Sequence, residues 1–375
     1  MSFPISGCRP EELPALLELV DRIFRSRRPG QMGREYPLLF SEANLEQLRI
    51  IRADGKPVAH VGICLRDATI LGCRIRVAGI GSVGTDPDYR GRGMASALME
   101  DARRHSILHG ASLMLISGTR GLYHRLGYVQ VGRFLSVIAP AGAGGGVLPR
   151  RFGPADLATV IALHQREPIR YLRPRDDWCA MLACENLMNQ PADLWLVEEQ
   201  GTTVAYVATQ RPSESAVDRP IRAYEFAGDR RAVVEALPAL ARHYGAAEIE
   251  LVCQPEEGAI VAEARRRLWR TGWRPFPGTL GVIDAPTFLA AIRPYLEEQL
   301  GRDLAGLEIE PLPEGAIFRR AGAEYRLETR GALTALLFGG ETDEARAIAP
   351  APEPVAEALN RAFPMPLLWY GYNYV

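Results

Sequence analysis

Two arginines alternate with two glycines at Arg90, Gly91, Arg92 and Gly93, between an apolar stretch and a run of helix-forming residues. Glycine lets the backbone approach a ligand closely because it has no Cβ atom, and arginine donates charge-assisted hydrogen bonds. The first N–H groups of a helix are unpaired, and the helix dipole adds partial positive charge there. The stretch therefore predicts a pyrophosphate-binding loop, although a surface turn before a helix can have the same composition.

The elements that would position this loop occur twice in the chain. Each copy has an amphipathic helix, a hairpin, a strand, a helix, a strand, a short helix and a strand, and the copies are about 145 residues apart. The matching segments are residues 9–19 with 152–163, 48–62 with 194–208, and 124–128 with 269–273. The repeat predicts two similar units that contain both helices and strands.

The two copies differ at the loop. Val83 lies 27 positions before Gly110 in the first copy, whereas the equivalent Phe226 lies only 19 positions before Gly245. The missing residues correspond to the stretch that contains the arginines and glycines. A loop that is kept in one copy of a duplicated scaffold and lost in the other is expected to serve a site. The first copy is therefore the predicted functional one.

The segment RGRGMA at residues 90–95 resembles the Gln/Arg-x-x-Gly-x-Gly/Ala signature of the GCN5-related N-acetyltransferases. The resemblance implies that the amides of this loop hold the pyrophosphate of acetyl-coenzyme A (acetyl-CoA). It also implies that the preceding strand offers backbone groups to the pantetheine arm. The cofactor-binding residues predicted in this way are Val83, Gly84, Thr85, Arg90, Gly91, Arg92, Gly93, Met94, Ala95, Ser96, Gly118 and Thr119.

More narrowly, the tandem arrangement, the segment GLYHRLGY at residues 121–128 and the C-terminal region resemble the enhanced intracellular survival (Eis) family. The resemblance implies an α/β (α+β) protein with two acetyltransferase folds, each a mixed sheet flanked by helices, and a sterol-carrier-like α+β domain. The predicted domains are residues 1–142, a degenerate second domain at 143–285, and residues 286–375. The resemblance also implies a homo-oligomer, which is a hexamer in that family.

Acetyl transfer from a thioester to an amine needs a proton for the leaving thiolate, a hydrogen-bond donor for the oxyanion and a base for the amine. Tyr123 matches the tyrosine that protonates the thiolate in the Eis family. The second copy has Leu268 at this position, so the tyrosine is missing where the loop is missing. A core tyrosine that only packs a short helix is the alternative.

The other two roles fall to a backbone amide and to the last residue of the sequence. Gly84 permits a β-bulge, so the backbone N–H of Thr85 is the predicted donor to the oxyanion. In the Eis family a C-terminal carboxylate enters the active site as general base, which by position is Val375 here. The aromatic C-terminal segment is expected to be buried. If it packs only on its own domain, the base is instead Glu35, Glu42 or a bound water.

Composition and charge limit the partners. The net charge is −1 at pH 7, which gives no general attraction to nucleic acid or to an anionic membrane. The sequence starts without a signal-peptide pattern and has no apolar run of about 18 residues, so we expect a cytoplasmic protein. The six cysteines form no CxxC motif and lie apart from the histidines, which predicts buried free thiols and no metal site.

The expected function is transfer of an acetyl group from acetyl-CoA to a primary amine, by direct attack in a ternary complex. The acceptor is a small-molecule amine or a lysine side chain, and the arginines within residues 25–34 argue against a polycationic acceptor. Two alternatives remain. One is a non-catalytic acyl-CoA-binding regulator, favoured if Tyr123 lies away from the thioester. The other is a lipid or sterol carrier that uses the C-terminal domain.

Overall fold

The computed structural model describes residues 3–28, 30–142, 149–212, 220–340 and 342–375. In these residues the chain has a mixed α/β structure, in which three β-sheets are flanked by helices. The predicted fold class is confirmed. The predicted domain boundary between residues 142 and 143 adjoins a stretch outside the described residues.

The described residues contain 18 strands and 13 α-helices. The strands are β1 (Ile5–Ser6), β2 (Leu48–Ala53), β3 (Lys56–Ile70), β4 (Cys73–Thr85), β5 (Leu113–Ile116), β6 (Arg133–Pro140), β7 (Arg150–Arg151), β8 (Ile169–Tyr171), β9 (Asn186–Leu187), β10 (Gln190–Glu199), β11 (Thr202–Gln210), β12 (Ile221–Gly228), β13 (Glu248–Cys253), β14 (Arg270–Pro275), β15 (Thr279–Val282), β16 (Glu308–Leu312), β17 (Gly315–Arg320) and β18 (Ala323–Leu327). The α-helices are α1 (Leu13–Phe24), α2 (Met32–Glu35), α3 (Met94–Leu108), α4 (Gly121–Arg125), α5 (Leu157–Gln165), α6 (Arg175–Ala183), α7 (Arg230–His243), α8 (Gly258–Arg266), α9 (Ala285–Ala291), α10 (Arg293–Leu300), α11 (Arg330–Phe338), α12 (Asp343–Arg346) and α13 (Glu353–Ala362).

The first sheet has the strand order β1-β2-β3-β4-β5-β15, and β8 also pairs with β3. Its neighbours are antiparallel except for β4 and β5, which run parallel. The parallel pairing extends only from Val77 opposite Leu113 to Ile80 opposite Ile116, while β4 continues to Thr85. The two strands therefore part beyond Ile80 and leave a gap between them.

The second sheet repeats this feature. Its strand order is β14-β6-β13-β12-β11-β10-β7, and β9 also pairs with β10. The parallel strands β12 and β13 pair only from Ile221 opposite Ile249 to Ala223 opposite Leu251. Beyond Ala223 they part in the same way, so the duplication seen in the sequence is also present in the sheet topology.

The two repeats exchange a strand. β6, the last strand of the first repeat, pairs with β13 and β14 in the second sheet. In return β15 pairs with β5 in the first sheet, and a Cβ atom at Gly278 would lie 2.1 Å from the carbonyl oxygen of Ile116. The predicted domain division at residues 142 and 285 stays a prediction, and both sheets draw strands from either side of residue 142.

The third sheet, β16-β17-β18, and helices α9–α13 precede a long C-terminal segment, residues 363–375. This segment follows α13 and packs against the first two sheets. Tyr370 and Tyr372 are buried, while Trp369 and Tyr374 are partly buried, so the predicted burial of the aromatic C-terminus is confirmed. The likeness of the third region to a sterol carrier stays a prediction.

Four of the six cysteines are buried free thiols, as predicted. Cys179 is exposed and Cys184 is partly buried, so the prediction is wrong for these two, because α6 and the residue that follows it turn them away from the core. Among the described residues no cluster of three or more His, Cys, Asp or Glu side chains could hold a metal ion. None of the helices in the described ranges is long and apolar enough to cross a bilayer.

The strand exchange predicts that residues 1–142 do not fold alone. This fragment lacks β15, which leaves the edge of β5 unpaired, and it carries β6 without its partners β13 and β14. We expect the fragment to unfold without a cooperative transition, as measured by circular dichroism in urea with the full chain as reference. A fragment that unfolds cooperatively at the urea midpoint of the full chain would contradict this expectation.

Candidate active site

The gap between β4 and β5 opens into a cavity of about 130 Å³. Residues of β4 from Ile80 to Val83 form one wall, and Ser117 and Gly118, which follow β5, form another. Helix α4 contributes Tyr123, and the C-terminal segment contributes Tyr374 and Val375. Three separate parts of the chain therefore meet where the two parallel strands part.

The arginine and glycine loop lies between β4 and α3. Gly91 and Gly93 both have a positive φ, of 77° and 79°, and a Cβ atom at either would have no protein atom within 4 Å. Gly93 is the residue before α3, whose first turn starts with buried Met94 and continues with Ala95 and Ser96. The predicted helix after the loop is confirmed, and no side chain of Gly93 competes for its first N–H groups.

The arginines of the loop are exposed. The Nε atom of Arg90 donates to the carbonyl oxygen of Thr85 at 3.3 Å, and Arg92 donates to the carbonyl of Asp88 at 3.1 Å. Positive charge, unpaired helix amides and glycines without neighbours suit a pyrophosphate group. The second repeat lacks this arrangement, because Asp229 directly caps α7 by accepting from the amide of Ala232.

The β-bulge of β4 lies earlier than the sequence predicted. His60 pairs with Gly84 and Gly62 with Gly81, so Ser82 and Val83 together face one residue of β3, and Ser82 has a φ of 56°. The prediction of a bulge at Gly84 is wrong. Gly84 is required for a different reason, since a Cβ atom there would lie 2.9 Å from Cδ1 of Ile23 in α1.

Thr85 is positioned by the ladder and not by a bulge. It pairs with Ala59, and the next amide, of Asp86, donates to the carbonyl of Val58 at 2.8 Å. In an antiparallel ladder this pattern directs the N–H of Thr85 away from β3, toward the gap. Val83 also faces the gap, because its carbonyl accepts from Arg120 at 3.4 Å. Val83 lines the cavity directly, which makes its amide a further candidate donor.

Tyr123 lies in the short helix α4 and is only 4 % exposed. A Cβ atom at Gly118 would lie 3.1 Å from Cε2 of Tyr123, so this glycine lets the ring approach the end of β5. Burial raises the pKa of Tyr123, and the nearby guanidinium of Arg120 opposes only part of this effect. The phenol therefore keeps its proton at neutral pH. The equivalent Leu268 in the second repeat is 91 % exposed.

Val375 packs against β4 in the same cavity. A Cβ atom at Gly81 would lie 2.3 Å from the carboxyl carbon of Val375, and one at Gly79 would lie 3.2 Å from its side chain. The ring of the preceding Tyr374 lies 6.5 Å from that of Tyr36. The C-terminal segment thus extends beyond its own domain into the first sheet, and the glycines of β4 provide the space for it.

Arg25 and Asn189 also line the cavity. Arg25, at the end of α1, forms an ion pair of 2.6 Å with Glu35, one of the predicted alternative bases. Asn189, from the turn before β10, accepts from Arg25 and, at 2.9 Å, from the hydroxyl of Tyr36. Asn189 comes from the second repeat, so only the fold could bring it here. Glu42, the other alternative base, is exposed outside the cavity.

Neither His124 nor Thr119 lines the cavity. His124, beside Tyr123, is exposed and lies 3.2 Å from Glu344 in the third region, away from the cavity. Thr119 is exposed next to Gly118 at the mouth. The structure therefore brings together Val83, Gly118, Tyr123 and Val375, while the loop, Gly84, Thr85 and Thr119 lie beside them.

Comparisons with known proteins concern the first repeat and the fold of the whole chain. Residues 5–131 match the family model of the acetyltransferase (GNAT) domain. The whole chain is similar in structure to a GCN5-related N-acetyltransferase from Kribbella flavida, at 18 % identity and a TM-score of 0.65, covering 98 % of this chain and 97 % of that one. No curated protein matches the chain by sequence.

Two further solved structures have the same fold over nearly their full length. A GCN5-related N-acetyltransferase from Anabaena variabilis ATCC 29413 has 15 % identity and a TM-score of 0.66, with 97 % of each chain covered. Eis1 from Mycobacterium abscessus has 16 % identity and a TM-score of 0.62, covering 97 % of this chain and 99 % of that one. At these identities the likeness shows the fold, while the domain match supports acyl transfer as the general chemistry of the first repeat.

The contact of Gly81 with Val375 predicts the effect of adding one methyl group. Gly81→Ala would push the last residue out of the cavity. We therefore expect the free energy of the first unfolding transition in urea to fall by about 1–3 kcal/mol. Gly272→Ala is the matched control, since Gly272 also lies in a strand and a Cβ atom there has no neighbour within 4 Å. We expect the control to change by less than about 0.5 kcal/mol. Equal effects of the two changes would contradict the contact.

Proposed function

We propose that the chain transfers an acetyl group from acetyl-CoA to a primary amine, in a ternary complex within the first repeat. The observation that carries the proposal is the meeting of Tyr123 and Val375 in one cavity at the parting of β4 and β5. Transfer from a thioester to an amine that starts out protonated needs a proton donor and a base, and the lining of this cavity contains a phenol and a carboxylate.

The loop and the gap fit acetyl-CoA, which supplies an activated thioester when bound. The open, positively charged surface at Gly91 and Gly93 would hold the pyrophosphate, with Arg90 and Arg92 as flanking donors. The backbone groups of β4 that face the gap, including those of Val83, would bind the extended pantetheine arm as a neighbouring strand would. Only the first repeat has this combination within the described residues, so we propose one cofactor site in each chain.

Tyr123 is the proposed proton donor. Its hydroxyl keeps the proton because burial disfavours the phenolate, and the ring is fixed by α4 and by its contact with Gly118. A phenol is a weaker acid than a thiol, so its contribution depends on position more than on acidity. The amides of Val83 and Thr85, which face the gap, are the proposed donors to the acyl carbonyl oxygen.

The α-carboxylate of Val375 is the proposed proton acceptor for the incoming ammonium group. Val375 is 6 % exposed, and its carboxyl carbon lies against Gly81 in the lining of the cavity. Glu35, one of the alternative bases, does not line the cavity and already pairs with Arg25. Its carboxylate therefore holds the arginine that in turn donates to Asn189.

The proposed acceptor is a primary amine of a small molecule or of a lysine side chain, with few additional positive charges. The cavity of about 130 Å³ has room for an aminoalkyl group. Arg27, Arg28 and Arg34 are exposed on the segment that follows Arg25 of the cavity lining, and their positive charges would oppose polycationic molecules.

A panel of primary amines and lysine peptides, assayed for thiol release from acetyl-CoA, tests the proposal. With any amine that is turned over, we expect Tyr123→Phe to lower kcat about 10²-fold or more, because the change removes a positioned proton donor. The KM for acetyl-CoA should stay within about twofold, since the phenylalanine ring still packs on Gly118.

Tyr128→Phe is the matched control. Tyr128 is a buried tyrosine in the same segment, packed beneath the guanidinium of Arg330 and outside the cavity. We expect its kcat to stay close to that of the unchanged chain. A kcat that falls equally in both variants, or in neither, would remove Tyr123 from the mechanism, and a panel without any thiol release would refute the proposed activity.

A further inference from the structure

The gap in the second sheet is occupied by the chain itself. Where β12 and β13 part, the C-terminal segment crosses the opening and leaves a cavity of only about 90 Å³. The side chain of Gln254, just after β13, donates to the carbonyl of Leu367 at 2.7 Å. The ring of Trp369 lies 4.6 Å from that of Phe134 and 5.5 Å from that of Tyr224 on β12. The cleft equivalent to the proposed cofactor gap thus holds a peptide segment.

An ion pair lies at the centre of this cleft. Glu225 on β12 is two residues beyond the last parallel pair, as Ser82 is on β4, so the two residues are equivalent in the two repeats. The carboxylate of Glu225 binds the guanidinium of Arg173 through two hydrogen bonds of 2.6 and 2.8 Å. Their side chains are only 10 % and 2 % exposed. Burial alone would raise the pKa of Glu225, but the guanidinium outweighs it and lowers that pKa, so the pair is ionised.

Both charged groups also bind the C-terminal segment. The amide of Tyr372 donates to Glu225 at 3.0 Å, and Nε of Arg173 donates to the side-chain oxygen of Asn373 at 2.6 Å. The hydroxyl of Tyr206 donates to the other oxygen of Glu225 at 3.0 Å. The pair therefore contacts two consecutive residues of the segment, which lie two and three positions before Val375.

The segment is shaped to fit the carboxylate. Gly371 has a φ of 51°, and a Cβ atom there would lie 1.9 Å from Oε2 of Glu225. Any other residue would push the turn at Gly371–Asn373 away from the ion pair. Two residues span at most about 7 Å, so fixing Asn373 also limits where the carboxyl group of Val375 can lie.

We propose that Glu225 and Arg173 of the second repeat are positioning residues, which hold the C-terminal turn in register so that Val375 reaches the active-site cavity of the first repeat. The ion pair acts through the chain and does not touch the substrate. A buried ion pair adds little stability compared with apolar residues of the same size, but it can specify one arrangement of the groups that it binds. Only the kinetic consequence of this proposal rests on the proposed function.

Gly371→Ala tests the clamp without removing either charge. The full-length protein is incubated with a carboxypeptidase, and mass spectrometry follows the release of Val375, which is buried in the unchanged chain. We expect the variant to lose Val375 at least about tenfold faster, because the added methyl group collides with Glu225. We also expect kcat to fall at least about tenfold while the KM for acetyl-CoA stays within about twofold.

Gly322→Ala is the matched control, since Gly322 also has a positive φ, of 81°, but no protein atom near a Cβ position. Its release of Val375 and its kinetics should equal those of the unchanged chain, and circular dichroism should show both variants folded. If Gly371→Ala is not folded, Asn373→Ala serves instead, because it removes the contact to Arg173 from the segment alone.

The outcomes separate this proposal from the proposed function. Val375 that stays protected in a folded variant would overturn the clamp. Faster release with unchanged kcat, or in a protein without acetyl transfer activity, supports the clamp and refutes the role of Val375 as base. Faster release together with the loss of kcat supports both.

Discussion

Both repeats depend on the parting of two parallel strands, after only four registered pairs in the first sheet and three in the second. Where parallel strands part, each loses its hydrogen-bonding neighbour on one side, and the exposed N–H and C=O groups need other partners. In the first sheet the carbonyl of Val83 accepts from Arg120, and the space beyond Ile80 stays partly open. In the second sheet the C-terminal segment fills the space, where it forms hydrogen bonds with Gln254 and Glu225. The parting of the strands thus leaves an open gap in the first repeat and a gap filled by the C-terminal segment in the second.

Small differences at equivalent positions account for this divergence. On β4, Gly81 and Ser82 leave space for Val375, whereas Tyr224 and Glu225 occupy those positions on β12 and contact the C-terminal segment. The connection to the next helix differs in the same sense. The first repeat inserts a loop with two glycines in the left-handed region, while the second caps its helix directly with Asp229. One repeat therefore keeps an open helix end, and the other contacts the C-terminal segment whose last residue reaches the cavity of the first.

The sequence predicted the features that depend on neighbouring residues. The repeat, the loop, helix α3 and the burial of the aromatic C-terminus follow from local patterns of apolar residues, glycine and proline, and these agree with the structure. The bulge could not be located, because Gly84 reflects the approach of Ile23 from α1, a contact made across the fold. The strand exchange and the arrival of Asn189 depend on pairing between residues more than 100 positions apart. A glycine in a strand indicates that another part of the chain approaches closely, but it does not show which part.

The most direct test is the number of acetyl-CoA molecules that bind to each chain. We propose that only the first repeat binds acetyl-CoA, while the second repeat holds the C-terminal segment. Isothermal titration calorimetry on the full chain measures this number without any choice of acceptor amine. The account predicts one site per chain, which is lost in Gly93→Asp, since an added carboxylate would occupy the open surface at the start of α3. Two sites per chain, or undiminished binding by Gly93→Asp, would contradict it.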